Sequence, residues 1–172
     1  MKSIAPRLVH LRNPTLGLRV LAILAETGFN PCRLELEITE TAVVDNMKMA
    51  LEITSQLRHA GVRIAIDDFG TGYATLSQLL SLKLDRIKID RSFVDRLGKD
   101  KESTTIVRAV LGLASGFSLE TTAEGIENDE QLATLRAEGC LEGQGYLFGK
   151  AVPANDVQSL LESHKLTTKG VA

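Results

Sequence analysis

Five short runs with strand character begin near residues 34, 62, 86, 118 and 140, and stretches with helical periodicity lie between them. This alternation, with a unit of about 22–32 residues, restricts the chain more than any other feature. Strands that alternate with helices form a parallel sheet through right-handed crossovers. Leu34-Glu35-Leu36-Glu37-Ile38 alternates strictly and reads as a strand. Residues 62–66, 86–89 and 118–123 read as three more, with a short one near 140–142. Asn13-Pro14 predicts the start of a helix through Leu16, Val20 and Leu24 to Gly28. Further helices are expected over 46–60, near 75–81, from a cap at Ser103 to Gly116, from Asn128 and Gln131 to Gly139, and over 155–164. A (β/α) barrel and a doubly wound sheet both fit this order.

Composition narrows the class. The 172 residues, 44% of them hydrophobic, suffice for a single domain over 1–172 with a real core. Twenty basic residues against 22 acidic ones give a net charge of −2, without the basic excess of a nucleic-acid binder. No apolar run is long enough to span a membrane, and the N-terminus lacks the apolar segment of a signal peptide. Cys32, Cys140 and three scattered histidines make neither a disulfide framework nor a zinc spacing. A cytoplasmic domain is expected.

The polar residues fall in a pattern. Side chains alternate along a strand, so Leu34, Leu36 and Ile38 share one face while Glu35 and Glu37 share the other. Ile64 and Ile66 likewise oppose Ala65 and Asp67, with Asp68 next, and Ile87 and Ile89 oppose Lys88. Glu124 follows directly on the strand ending at Ala123. Each residue alone has a bland reading as solvated surface or turn chemistry. Together they place acids and one lysine at the C-terminal ends of four strands, where barrel active sites lie. Such hard oxygen donors suit Mg²⁺ or Mn²⁺.

Several motifs then coincide. Glu37-Ile38-Thr39-Glu40, Asp67-Asp68-Phe69-Gly70-Thr71-Gly72-Tyr73, Lys88-Ile89-Asp90-Arg91-Ser92-Phe93-Val94, Ala123-Glu124-Gly125-Ile126-Glu127 and Gly143-Gln144-Gly145-Tyr146 resemble the successive motifs of the EAL domain family. Its members are bacterial cyclic-di-GMP phosphodiesterases with a (β/α)8 TIM-type barrel. The resemblance implies that Glu37, Asp67, Asp68 and Glu124 are metal ligands, with Glu124 also a candidate general base. It implies that Lys88 orients the attacking water and stabilises charge, that Glu40 holds the loop after Asp68, and that Gln144 supports the site. It also implies dimerisation through the region after that loop, here residues 74–84.

The chain departs from the family in two places. The Glu-Ala-Leu motif itself is absent, together with the substrate-binding arginine that follows it, and Ala25-Glu26 on a helix is no substitute. Ala5 stands where the family has a ligating asparagine, and an alanine coordinates nothing. A barrel takes about 250 residues, so the expected fold is an incomplete (β/α)8 barrel holding the last five to six units. The expected function is a degenerate domain, inactive as an isolated chain and regulatory or protein-binding in cyclic-di-GMP signalling. The alternative is an active phosphodiesterase completed by oligomerisation or by a partner fragment. Open sheet edges near 3–8 and 140 predict a homo-oligomer.

Overall fold

The computed structural model describes residues 2–4, 13–72, 74–157 and 159. Six strands form one parallel sheet: β1 (Lys2–Ile4), β2 (Leu34–Thr39), β3 (Arg63–Phe69), β4 (Arg86–Ile89), β5 (Glu120–Ala123) and β6 (Glu142–Gly143). Each strand pairs with the next one in the chain, in the order β1-β2-β3-β4-β5-β6. A doubly wound sheet reverses its strand order at a switch point. This sheet has no reversal, so it is the wall of a barrel. Among the described residues β1 and β6 each have one strand neighbour, and the wall is open.

Between the strands lie α1 (Leu16–Thr27), α2 (Glu40–Asp45), α3 (Met47–His59), α4 (Leu76–Ser81), α5 (Arg91–Val94), α6 (Lys101–Gly116) and α7 (Asp129–Ala137). The core lies between these helices and one face of the sheet. Leu36, Ile38, Ile64, Ile66, Ile87 and Ile89 fill it from the strands, and Ile53, Leu57 and Val107 from the helices, all essentially inaccessible. The other face carries Glu35, Glu37, Asp67, Arg86 and Lys88, and faces the barrel interior.

Several boundaries differ from expectation, each for a local reason. Asn13 does not cap the first helix. Its Oδ1 accepts from the Thr15 N–H at 2.9 Å and the Thr15 hydroxyl at 2.8 Å, forming a turn, and α1 begins only at Leu16. Ser103 does not cap α6 either. Asp100 does, its carboxylate accepting from the backbone N–H groups of Glu102 and Ser103. The Glu102 N–H, then the Ser103 hydroxyl, favour the ionised form and hold the Asp100 carboxyl below its usual range.

The fourth expected strand starts at Glu120 rather than 118. Ser118 is left-handed (φ 56°), and the Leu119 N–H still closes on the Ala114 carbonyl of α6. Likewise the Cys140 N–H bonds the Leu135 carbonyl of α7, so β6 begins at Glu142. The short helices α2 and α5 were not expected; Thr39 and Asp90 cap them directly at the ends of their strands. Of the terminal helix, a 3-10 turn at Ala154–Asp156 is seen, and 160–164 lie outside the described residues. Ala5 also lies outside them.

Ile64 is fully buried at the centre of the helix-covered face. Ile64→Ala is expected to lower stability by about 2–5 kcal/mol in urea titration, the range for large-to-small changes in a packed core. A loss under about 1 kcal/mol would mean that the core lies elsewhere.

Candidate functional site

The site begins with an irregularity in β3. Ile66 pairs with Ile87, but the next pairing joins Phe69 to Ile89, so three steps on β3 oppose two on β4. Asp67 and Asp68 occupy this bulge, and Asp68 is left-handed at φ 54°. In a regular strand neighbouring side chains point to opposite faces. The bulge cancels that rule locally. Carboxylate oxygens of Asp67, Asp68 and Glu124 thereby come within 4.8 Å of one another.

Lys88 lies at the centre of this group, its side chain 6% exposed. Its ammonium donates to Glu37 Oε2 at 2.8 Å, Asp67 Oδ1 at 2.9 Å and Glu124 Oε1 at 2.5 Å. Three donors on one nitrogen thus meet carboxylates from β2, β3 and the end of β5. Gln144 donates from Nε2 to the same Glu124 oxygen at 2.8 Å. The backbone holds Gln144 there, because its N–H bonds the Ala123 carbonyl and its carbonyl accepts from Ile126.

Glu40 does a different job. Buried at the start of α2, its carboxylate accepts from the backbone N–H groups of Gly70 and Gly72 at 3.1 Å and of Ala74 at 2.9 Å. The loop after the two aspartates is therefore wrapped around one side chain. A Cβ on Gly72 would lie 2.9 Å from Glu40 Cδ, so only glycine allows the approach.

The electrostatics follow from four acids sharing one cation. Burial opposes charge on Lys88, but its hydrogen bonds to Glu124, Glu37 and Asp67 outweigh that and hold its pKa above the usual range. Burial pushes the Glu124 carboxyl up; Lys88 opposes the shift, and Asp67 and Glu37 add to it. Asp68 is raised by burial, then by the charges of Asp67 and Asp90, against the pull of Lys88.

The structure thus brings Glu37, Asp67, Asp68, Lys88, Glu124 and Gln144 together, with Glu40 behind them. Glu37 stands outside the three-carboxylate group and meets Lys88 instead. Two contributors were not singled out from the sequence. Asp90 caps α5 through the Ser92 N–H at 3.0 Å and sits beside Asp68. Arg91 crosses Gly125, whose added Cβ would lie 2.3 Å from Arg91 Cγ, and pairs with Glu127 at 2.6 Å. The position of Asp90 directly after a strand was the available signal, although only the fold shows what it faces.

A family model described as EAL domain matches residues 3–151. The chain belongs to the EAL domain family. It is 38% identical over 142 residues to the cyclic di-GMP phosphodiesterase NbdA of Pseudomonas aeruginosa, covering 83% of this chain and 18% of NbdA. Among solved structures it resembles the EAL domain of Mycobacterium smegmatis DcpA, with TM-score 0.88 and 40% identity over 94% of this chain and 72% of that one. It also resembles PaMucR phosphodiesterase in its c-di-GMP complex, with TM-score 0.86 and 34% identity over 90% and 63%. A manganese and cyclic-di-GMP complex of Klebsiella pneumoniae BlrP1 matches with TM-score 0.79 and 30% identity over 86% and 38%. The chain spans about a fifth of the length of the curated relatives it matches. It is an incomplete TIM-type barrel of the EAL family, related to cyclic-di-GMP phosphodiesterases.

The shifts predict a pH dependence. A carboxyl raised in the folded state lends stability in acid that is lost as pH rises through its folded value. Glu124→Gln should therefore exceed the wild type in stability at pH 7 in metal-free buffer. The gap should close below about pH 4, where Glu124 is protonated both folded and unfolded. Urea midpoints from pH 4 to 7 test this; a variant less stable at pH 7 would mean that Lys88 dominates Glu124.

Proposed function

We propose that this EAL domain carries a divalent-cation site directed at cyclic-di-GMP and that, as an isolated chain, it hydrolyses the nucleotide very weakly or not at all. The observation that carries the reading is the cluster of Asp67, Asp68, Glu124 and Lys88 in a wall that, among the described residues, does not close. The donor set fits the cation. Three carboxylates converge within 4.8 Å, and oxygen donors of this kind suit Mg²⁺ or Mn²⁺. Asp67, Asp68 and Glu124 would hold the ion, with Glu37 beside them.

When bound, such an ion supplies Lewis acidity toward a phosphodiester and lowers the pKa of water at neutral pH. The chain's own groups then have separate tasks. Four carboxylates against one ammonium repel an anionic diester, so the nucleotide can approach only once that charge is balanced. Lys88 offers its ammonium protons to whatever oxygen displaces a carboxylate from it. Burial holds the Glu124 carboxyl above its usual range, which makes it a stronger base than a solvated carboxylate, and the Gln144 amide orients it by donating to Oε1. Glu40 keeps the Asp68 end of the bulge from relaxing.

Weak activity follows from the missing side of the site. The Glu-Ala-Leu motif and its arginine are absent from the sequence, and Ala5 has no donor. In-line attack needs both attacking and leaving oxygens clamped, and these acids come from one arc of the wall. The favoured role is regulatory, through binding of cyclic-di-GMP or of a protein. A second reading keeps the enzyme: further β/α units, from a second copy or a partner fragment, close the wall and complete the site. The intact Lys88 cluster favours it. No helix among the described residues is long and apolar enough to cross a membrane.

Association has its own support. Leu76, Leu80 and Phe117 are 43%, 38% and 45% exposed around an apolar pocket of about 190 Å³ between α4 and α6. This pocket lies in the 74–84 region; among the described residues β6 has one strand neighbour, and Leu141 just before it is 93% exposed. A homo-oligomer covers such surface. Light scattering on a sizing column is expected to give at least twice 18.7 kDa. A stable monomer at micromolar concentration would remove the oligomer from the proposal.

The test of catalysis is direct. The purified chain, with cyclic-di-GMP and Mg²⁺ or Mn²⁺, is expected to release linear product far more slowly than about 1 per second, the low end of ordinary turnover. Turnover at or above that rate, abolished by Glu124→Gln, would establish the isolated chain as an enzyme and overturn the inactive reading.

A further inference from the structure

Below the Lys88 cluster lies a second charged layer that the proposed function leaves unused. Arg86 precedes Lys88 by two residues on β4, so both side chains enter the barrel interior, one pleat repeat apart. Arg86 is 5% exposed. Its Nε donates to Glu35 Oε2 at 3.2 Å, its Nη1 to Thr122 Oγ1 at 2.5 Å and to Glu142, and its Nη2 to Glu120. One side chain on β4 therefore ties β2, β5 and β6 together. Arg63 on β3 joins the same acids, reaching Glu120 at 2.7 Å and Glu35 at 3.7 Å.

The two layers repeat one another. Arg86 reaches Glu35 on β2, and Lys88 reaches Glu37, two residues further along both strands. Arg86 reaches Glu120 on β5, and Lys88 reaches Glu124 just beyond the same strand. Thr122 links the levels: it is the strand partner of Lys88 and the acceptor for Arg86. Backbone ladders set only the spacing of adjacent strands. The distance from β2 to β4 is a chord across the arc, and it changes with the curvature of the wall. In a closed barrel the ring of strands fixes curvature. Among the described residues the ring does not close, and the side chains that span β2 to β4 contribute to curvature directly.

The layers are unequal in stiffness. A guanidinium is a planar fork with donors in fixed directions, whereas an ammonium is a point charge on a flexible stem. The rigid fork lies below, and the adaptable charge lies at the site. We infer that Arg86 is a positioning residue: it holds β2, β5 and β6 at the curvature at which Glu37 and Glu124 both reach Lys88. The inference deepens the site reading above and rests on its geometry, but not on metal or nucleotide binding.

The reporter is the Gln144 side-chain amide, which donates to Glu124 and can be followed by ¹H–¹⁵N NMR without ligand. In Arg86→Met that signal and the Glu124 backbone amide should shift or broaden, and Arg86→Lys should restore part of the wild-type position. Glu120→Gln, at a side chain 46% exposed, removes one arm of the fork with little threat to folding, and should move the Gln144 signal in the same direction. Ile53→Val on α3 serves as a control for general destabilisation, and should leave the signal in place. The Gly70, Gly72 and Ala74 amides, held by Glu40, should stay fixed in all four variants. If Arg86→Met does not fold, Glu120→Gln and Arg86→Lys decide. A Gln144 signal that stays put in the folded Arg86 and Glu120 variants, or that Ile53→Val moves equally, overturns the inference. Neither result depends on hydrolysis, so the proposed function stands or falls separately.

Discussion

Lys88 is a single cation among carboxylates that repel one another. Glu37, Asp67 and Glu124 reach its ammonium from three different strand ends, and Asp68 follows Asp67 in the bulge. Taking charges out of water costs several kcal/mol per ion unless geometry and hydrogen bonding repay it. Here one nitrogen uses three donors on three acceptors, and Gln144 adds a fourth bond at Glu124. The rest of the structure arranges for those strand ends to meet. Burial first, and then the neighbouring acids, push the Glu124 and Asp68 carboxyls up against the pull of Lys88. The site thus gathers four carboxylates around one ammonium.

The surroundings of the cluster are specialised to hold it. Glu40 gives up no oxygen to the cluster, yet it fixes the loop that follows the bulge by accepting three backbone N–H groups. Gly125 leaves room for Arg91 to cross the loop after β5, and that arginine pairs with Glu127 beyond Glu124. These contacts join neighbouring strand ends around the rim. The layer of Arg86 and Arg63 joins the strands from within. Rim and interior contacts both link strands of a wall that, among the described residues, does not close.

That openness separates the fold from the function. The family and the incomplete barrel follow from sequence and structural similarity over most of the chain. Hydrolysis asks for more than a familiar wall, because an in-line displacement must be held from both sides. The contributed side is well formed. The two proposed readings differ in what must be added to the chain: catalysis needs the opposing groups, and the regulatory reading does without them.

Which residues face inward is written in the alternation along each strand. A period of two in Leu34-Glu35-Leu36-Glu37-Ile38 is a property of the extended backbone, and it put Glu35 and Glu37 on one face whatever the strands packed against. The motifs likewise mark Asp67, Asp68, Lys88 and Glu124. Three matters were left to the tertiary structure. Strand order chose the barrel over the doubly wound sheet, because crossover length says nothing about which neighbour a strand selects. The bulge at Asp67 and Asp68 broke the alternation that the sequence implied, and only pairing against Ile87 and Ile89 reveals it. The Arg86 layer was visible as five separate charges near strand starts. Its partners lie up to 56 residues apart in the chain, and the distance between them is set by the curvature of the wall, which no local pattern encodes.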